Sequence, residues 1–195
     1  KAGGQLHQEL RRRYKRRKRH YGLERRGRLQ GKRMIDERPA EVETRKVPGH
    51  WEIDTVMGAS WEKACIVTLT ERATGYLRIG KLPNRTTKAV NRRVIELIQT
   101  TGAPFRTITA DNGTEFHGYP KIEEATRTTV YFARPHHPWE RGTNENTNGL
   151  IRQYLPKGES MANLTQRQCD AIANKLNTRP RKRLGYDTPQ QRLFG

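Results

Sequence analysis

Acidic residues are scarce in this chain: 20 Asp and Glu stand against 39 Lys and Arg over 195 residues, a formal net charge of +19. That imbalance points to a polyanionic partner, most simply DNA or RNA. Apolar residues are also few, at 32 %, so the core must be drawn from a small number of good segments. No apolar run approaches the roughly 18 residues of a membrane span, and Lys1 opens no recognisable secretory signal. A membrane protein is excluded on this pattern, and a cytoplasmic setting is expected. Cysteine is nearly absent. Cys65 lies in an apolar strand-like run and Cys169 on a helical stripe, which reads as two buried thiols rather than a disulfide framework. In a reducing compartment the Asn-x-Thr triplets at Asn84, Asn112 and Asn163 carry no glycosylation meaning.

What is present begins with charge. Residues 1–33 hold fourteen Lys and Arg against Glu9 and Glu24. Leu6, Leu10 and Tyr14 recur every four residues and allow a short helix, but nothing there can build a core. Arg11, Arg12, Arg13, Lys15, Arg16, Arg17, Lys18 and Arg19 are expected to hold phosphates. Such contacts lend affinity with little base specificity and a steep salt dependence. Residues 34–49, with Pro39, Pro48 and Gly49, read as a linker or extended arm.

From His50 the periodicity changes to that of strands. Residues 51–57 alternate, with Trp51, Ile53, Thr55 and Met57 on one face and Glu52, Asp54 and Val56 on the other. The continuous run ACIVTLT (64–70) predicts a strand covered on both sides. YLRIGKL (76–82) completes an antiparallel meander. A helix is predicted over 86–100, with Val90, Val94, Leu97 and Ile98 as its stripe, then strands at 106–110 and 129–133 around a short helical stretch at 121–125. After the loop opening at His136 comes another helix, and a Thr165/Gln168 capping box starts the next. Leu184, Tyr186, Leu193 and Phe194 in the tail are available to dock. The fold class this predicts is α/β: a mixed five-stranded sheet with helices on both faces and a basic N-terminal extension. The expected division is a basic arm and linker over 1–45, a core over 46–180 and a basic tail over 181–195.

Three acids stand out on that order. Asp54 lies within the first strand, Asp111 ends the fourth, and Glu145 opens the helix after the fifth. Hard divalent cations such as Mg²⁺ take oxygen ligands and keep several waters, so two or three carboxylates suffice. Two such ions can serve an in-line displacement at phosphorus. At 100° per residue, Asn148 and Arg152 share the Glu145 side of the helix, while Ile151, Tyr154 and Leu155 cluster elsewhere as an anchor. Glu52 shares the Asp54 face and reads as a salt-bridge partner. His117, His136 and His137 lack zinc-site spacing.

Several separate segments then match one family in order. GHWEIDTVMG (49–58), TITADNGTEF (107–116) and YFARPHHPWERGTNENTNGLIRQYLPKG (131–158) closely resemble the IS-thirty family of bacterial insertion-sequence transposases, as do IDERPAEVE (35–43) and NTRPRKRLGYDTP (177–189). More widely the chain resembles the retroviral integrase superfamily, with Gly142, Glu145 and Asn148 in its Gly-x-x-Glu-x-x-Asn pattern, Arg152 as the basic residue one turn later, and 33 residues between Asp111 and Glu145. The resemblance implies an RNase H-like fold and a DDE triad of Asp54, Asp111 and Glu145, with Asp54 bridging two Mg²⁺ ions (Mn²⁺ able to substitute), Asp111 on one and Glu145 on the other. It implies cleavage at transposon ends and transfer of the 3′-OH into target DNA, in a homodimer or larger assembly. It also implies Arg141, Asn148 and Arg152 on DNA, a bacterial, nucleoid-associated setting, and a helix-turn-helix region ahead of Lys1 that reads terminal inverted repeats. A structure-specific nuclease, or a catalytically inactive DNA-binding or architectural protein on the same fold, stays open beside it.

Overall fold

The computed structural model describes residues 31–135 and 137–195. The basic run Arg11–Arg19, the short helix expected around Leu10, and His136 lie outside the described residues. Five strands form one mixed sheet: β1 (His50–Met57), β2 (Cys65–Glu71), β3 (Leu77–Leu82), β4 (Thr107–Ala110) and β5 (Thr129–Phe132), in the order β3-β2-β1-β4-β5. The β1–β2 and β2–β3 pairs are antiparallel and the β1–β4 and β4–β5 pairs parallel. The meander expected from the three alternating runs is therefore present.

Helices cover both faces, because the strands are apolar on both. On one face, Trp51, Ile53, Val67, Leu69, Ile108 and Phe132 pack against Val90, Val94 and Leu97 of helix α2 (Thr87–Thr101) and Ile122 of α3 (Tyr119–Thr126). On the other, Val56, Ile66, Leu77 and Ile79 meet Leu150 and Ile151 of α4 (Gly142–Ile151) and Cys169, Ala173 and Leu176 of α5 (Gln166–Asn177). The uninterrupted run in β2 thus serves two cores at once, Ile66 facing one and Val67 the other. Gly80 lets α2 approach the sheet: a Cβ there would lie 2.4 Å from Arg93 Cγ.

Helix ends follow their local signals. Thr86 caps α2 by accepting from Ala89 N–H, and Gly102, at φ +70°, ends it in the left-handed region. The Thr165/Gln168 capping box opens α5 as expected.

Two segments pack more closely than their composition suggests. Residues 33–44 pack against the sheet, starting at the β5 edge: Phe132 N–H donates to Arg33 O (2.9 Å), Met34 bridges Phe132, and α1 (Glu41–Thr44) buries Val42. Arg38 is buried, donating to Thr109 Oγ1 of β4 (2.6 Å) and pairing with Glu43. At the other terminus, α6 (Pro189–Phe194) brings Leu193 against the α2-side core and Phe194 edge-on to Tyr76 (5.2 Å), which is itself edge-on to Trp51. Tyr186 stays exposed.

Candidate active site at the β1–β4 seam

The site starts from strand alternation. Residues 52, 54 and 56 of β1 face α4, since Val56 shares its core with Leu150 and Ile151. Parallel pairing of β4 beside β1 brings Asp111, just beyond Ala110, alongside Asp54. A 3-10 turn over Pro138–Arg141 then leads into α4, whose start is latched to β1. Asn144 N–H donates to Glu52 Oε2 (2.9 Å), and Glu52 Oε1 takes the Arg72 guanidinium at 2.6 Å. Both ends of that ion pair are enclosed, Glu52 fully and Arg72 nearly so. The salt-bridge role expected of Glu52 is thus its observed one.

Asp54 and Asp111 share one cation. Arg141 Nη2 donates to Asp111 Oδ2 at 3.1 Å, while Nη1 stands 3.6 Å from Asp54 Oδ1 and donates to Ile53 O at 3.2 Å. Asn148 Nδ2 donates to Asp54 Oδ2 (2.7 Å) and Thr55 N–H to Oδ1 (2.9 Å). Gly113 N–H donates to Asp111 Oδ1 (2.8 Å), closing the turn expected of Asp-Asn-Gly. Burial drives the Asp54 carboxyl above the usual carboxylate range, Arg141 opposes this, and the like charge of Asp111 adds to it.

Glu145 sits in the first turn of α4, exposed. Among the described residues no three His, Cys, Asp or Glu side chains stand close enough to hold a metal ion. The structure therefore gathers Asp54 and Asp111 and leaves Glu145 outside that pair. By donor type the residues suit a hard cation: two carboxylates already arranged around one positive charge.

The three expected DNA contacts with described positions are engaged within the protein. Arg141 and Asn148 hold the carboxylates, as above. Arg152 caps α4, its N–H reaching Asn148 O and its Nη2 donating to Met57 O (2.8 Å), and burial lowers its pKa. The anchor of α4 also differs from expectation. The helix stops at Ile151, so Leu150 and Ile151 are buried and Leu155 partly so, while Tyr154 lies at the surface. Sequence reasoning passed over Arg72 and Asn144 altogether, and nothing in the local pattern marks either.

Comparison with known proteins shows what the chain is similar to. The family described as "Integrase core domain" matches residues 44–138, a span that holds Asp54 and Asp111 and ends before Glu145. The chain is 44 % identical over 194 residues to the transposase for insertion sequence element IS4351 of Bacteroides fragilis, covering 99 % of this chain and 59 % of that protein. It is 43 % identical to the transposase for IS1086 of Cupriavidus metallidurans (93 % and 53 % covered) and 39 % identical to transposase InsI for IS30A of Escherichia coli K12 (80 % and 41 %). It spans about half the length of the curated relatives it matches. Its fold is similar to the catalytic core domain of BIV integrase, at a TM-score of 0.55 and 21 % identity, covering 74 % of this chain and 93 % of that one. The chain thus has an RNase H-like sheet, matches the integrase core domain over residues 44–138, and is similar over most of its length to IS-thirty-type transposases.

Proposed function

We propose that this chain is the catalytic part of a DDE transposase, cleaving phosphodiesters at transposon ends and joining the freed 3′-OH to target DNA. The observation that carries the reading is the Asp54–Asp111 pair on adjacent parallel strands, beneath a helix that presents Glu145 from its first turn. Divalent-metal chemistry is general to integrase-core proteins. Here Asp54, Asp111 and Glu145 would hold Mg²⁺, as two ions with Mn²⁺ able to substitute, which when bound supplies Lewis-acid polarisation of the phosphate and a more acidic attacking water.

The chain's own residues prepare that chemistry. Asn148 and Thr55 N–H fix the Asp54 carboxylate in one orientation. Arg141 balances the charge of two carboxylates that would otherwise repel across the seam. The Glu52–Arg72 latch holds the first turn of α4, and so the backbone that bears Glu145, against β1. In the arm of residues 1–45, DNA contact falls to the part ahead of Arg33, since 33–44 pack on the sheet; residues 46–180 act as the core and 181–195 as a basic tail. Phosphate contacts come first from the run Arg11–Arg19, in a homodimer or larger assembly on DNA. No helix among the described residues is long and apolar enough to cross a membrane.

The test uses pre-cleaved ends, Mg²⁺ and a supercoiled target. Asp111→Asn keeps the oxygen that accepts from Gly113 N–H, so it is expected to fold and to bind DNA as before while losing cleavage and joining. Retained joining by this variant refutes the assignment of the carboxylates. Cleavage without joining by the unaltered protein indicates a nuclease instead.

A further inference from the structure

A second basic feature lies on the far side of α4. A cavity of about 420 Å³ is walled on one side by that helix, through Thr143 and Thr147, and on the other by Arg45, Arg179, Lys182 and Arg183. At 100° per residue, Thr143 and Thr147 point well away from Glu145 and Asn148, so this is not the carboxylate site. No Asp or Glu lines it.

Three features suit it to an anion. The Thr143 Oγ1 is buried and has no hydrogen-bond partner, a state that folded proteins seldom leave uncompensated. At the start of α4 the Arg141 side chain makes no cap and Glu52 accepts from Asn144 N–H, and the dipole there favours negative charge. One of the cations, Arg183, is also held in place rather than merely near. Arg183 Nη1 donates to Ala73 O (2.9 Å), and Gly75, at φ +77°, leaves the space for it, since a Cβ there would sit 2.5 Å from Arg183 Nη2. Desolvation and the like charge of Arg45 hold the Arg183 guanidinium below its ordinary pKa. Glu71, whose charge opposes that shift, has its oxygens occupied by the N–H groups of Gly49 and Thr74 and by Thr74 Oγ1.

We propose that this cavity is a phosphate site, taking one backbone phosphodiester of DNA on the face of α4 turned away from the carboxylates. The source of the phosphate rests on the transposase reading; the oxyanion site does not. Its occupant would tie the DNA path to the helix that bears Glu145, with Thr143 Oγ1–H as a donor and Arg183 and Lys182 as counter-charges.

Two variants test it, Thr143→Val, which removes the hydroxyl at nearly constant volume, and Arg179→Gln/Lys182→Gln, which removes two exposed charges. Thr143→Ser serves as the restoring control. Calorimetric titration with inorganic phosphate is expected to show binding to the unaltered chain and to Thr143→Ser, about tenfold weaker binding to Thr143→Val, and none to the double variant. On a short duplex, the double variant is expected to lower the slope of log affinity against log salt by about one. Phosphate binding that survives both variants overturns the site. Phosphate binding lost in the variants with an unchanged duplex slope overturns the DNA assignment and leaves a free-phosphate site. Absence of strand joining while both binding results hold counts against the transposase reading and supports the cavity as a site.

Discussion

The Glu52–Arg72 pair offers a sharp test of how α4 is held. Glu52 is fully enclosed and Arg72 is 2 % exposed. The carboxylate has one oxygen on Arg72 Nη1 at 2.6 Å and the other on Asn144 N–H at 2.9 Å. Glu52→Gln keeps the volume but removes the charge. Its amide offers one acceptor where two donors, the guanidinium and the Asn144 N–H, each need one. Arg72 would then keep only Glu43, which is largely exposed at 3.3 Å, and the Glu140 carbonyl at 3.4 Å. Breaking one side of a buried pair costs about 3–5 kcal/mol. For a chain of this size that is a fall in Tm of roughly 6–20 °C. Replacing both partners by apolar groups of similar size, as in Glu52→Met/Arg72→Met, removes the uncompensated charge, so it should recover most of the loss. Urea unfolding followed by tryptophan fluorescence measures both. A cost below about 1 kcal/mol for Glu52→Gln, or a double variant less stable than the single one, would refute the latch as the main hold on the start of α4.

Stability should also depend on His50 with a definite sign. Burial lowers its pKa below the ordinary value near 6.5, with the ring against Thr107 Oγ1 (2.9 Å) and Glu41 3.4 Å from Nε2. The unfolded chain therefore takes up the proton more readily, so stability is lost as pH falls through about 6.5 toward the folded pKa, by at most about 1.4 kcal/mol per pH unit. His50→Asn should flatten this part of the urea-midpoint profile between pH 7.5 and 5.5, and equal profiles would count against it. Burial also pushes the thiols of Cys65 and Cys169 up to about 11, so neither should react with a thiol reagent at pH 8 until the chain unfolds. Labelling of the native protein at the rate of free glutathione would contradict that.

Much of the architecture was written locally. Val, Ile and Thr at 64–70 announce a strand with no solvent face, and both of its faces are in fact covered. The 3.6-residue stripe of α2 and the Thr165/Gln168 box place their helices within a residue or two. These signals survive because they depend on neighbours a few positions away. The extent of α4 was less legible: polar at nearly every position, it ends at Ile151, which put Tyr154 at the surface rather than in the anchor. The run 34–49 reads as an arm because it is charged and holds two prolines, yet Arg38 is buried against Thr109, a partner its own segment does not reveal, while pairing with Glu43 within it.

The sequence by itself determined the strand and helix order, the positive excess that calls for a polyanion, and the identity of three acids worth following. The tertiary structure decided how those acids stand. Parallel pairing of β1 with β4 sets Asp54 beside Asp111, and the turn ahead of α4 swings Arg141 between them, while Glu145 stands exposed in the first turn of α4. Periodicity reports which face a side chain takes. It carries no information on which distant charge will share that face, because two carboxylates and a guanidinium are brought together by packing across some ninety positions of chain, where Coulomb energy and desolvation are settled only once the sheet has closed.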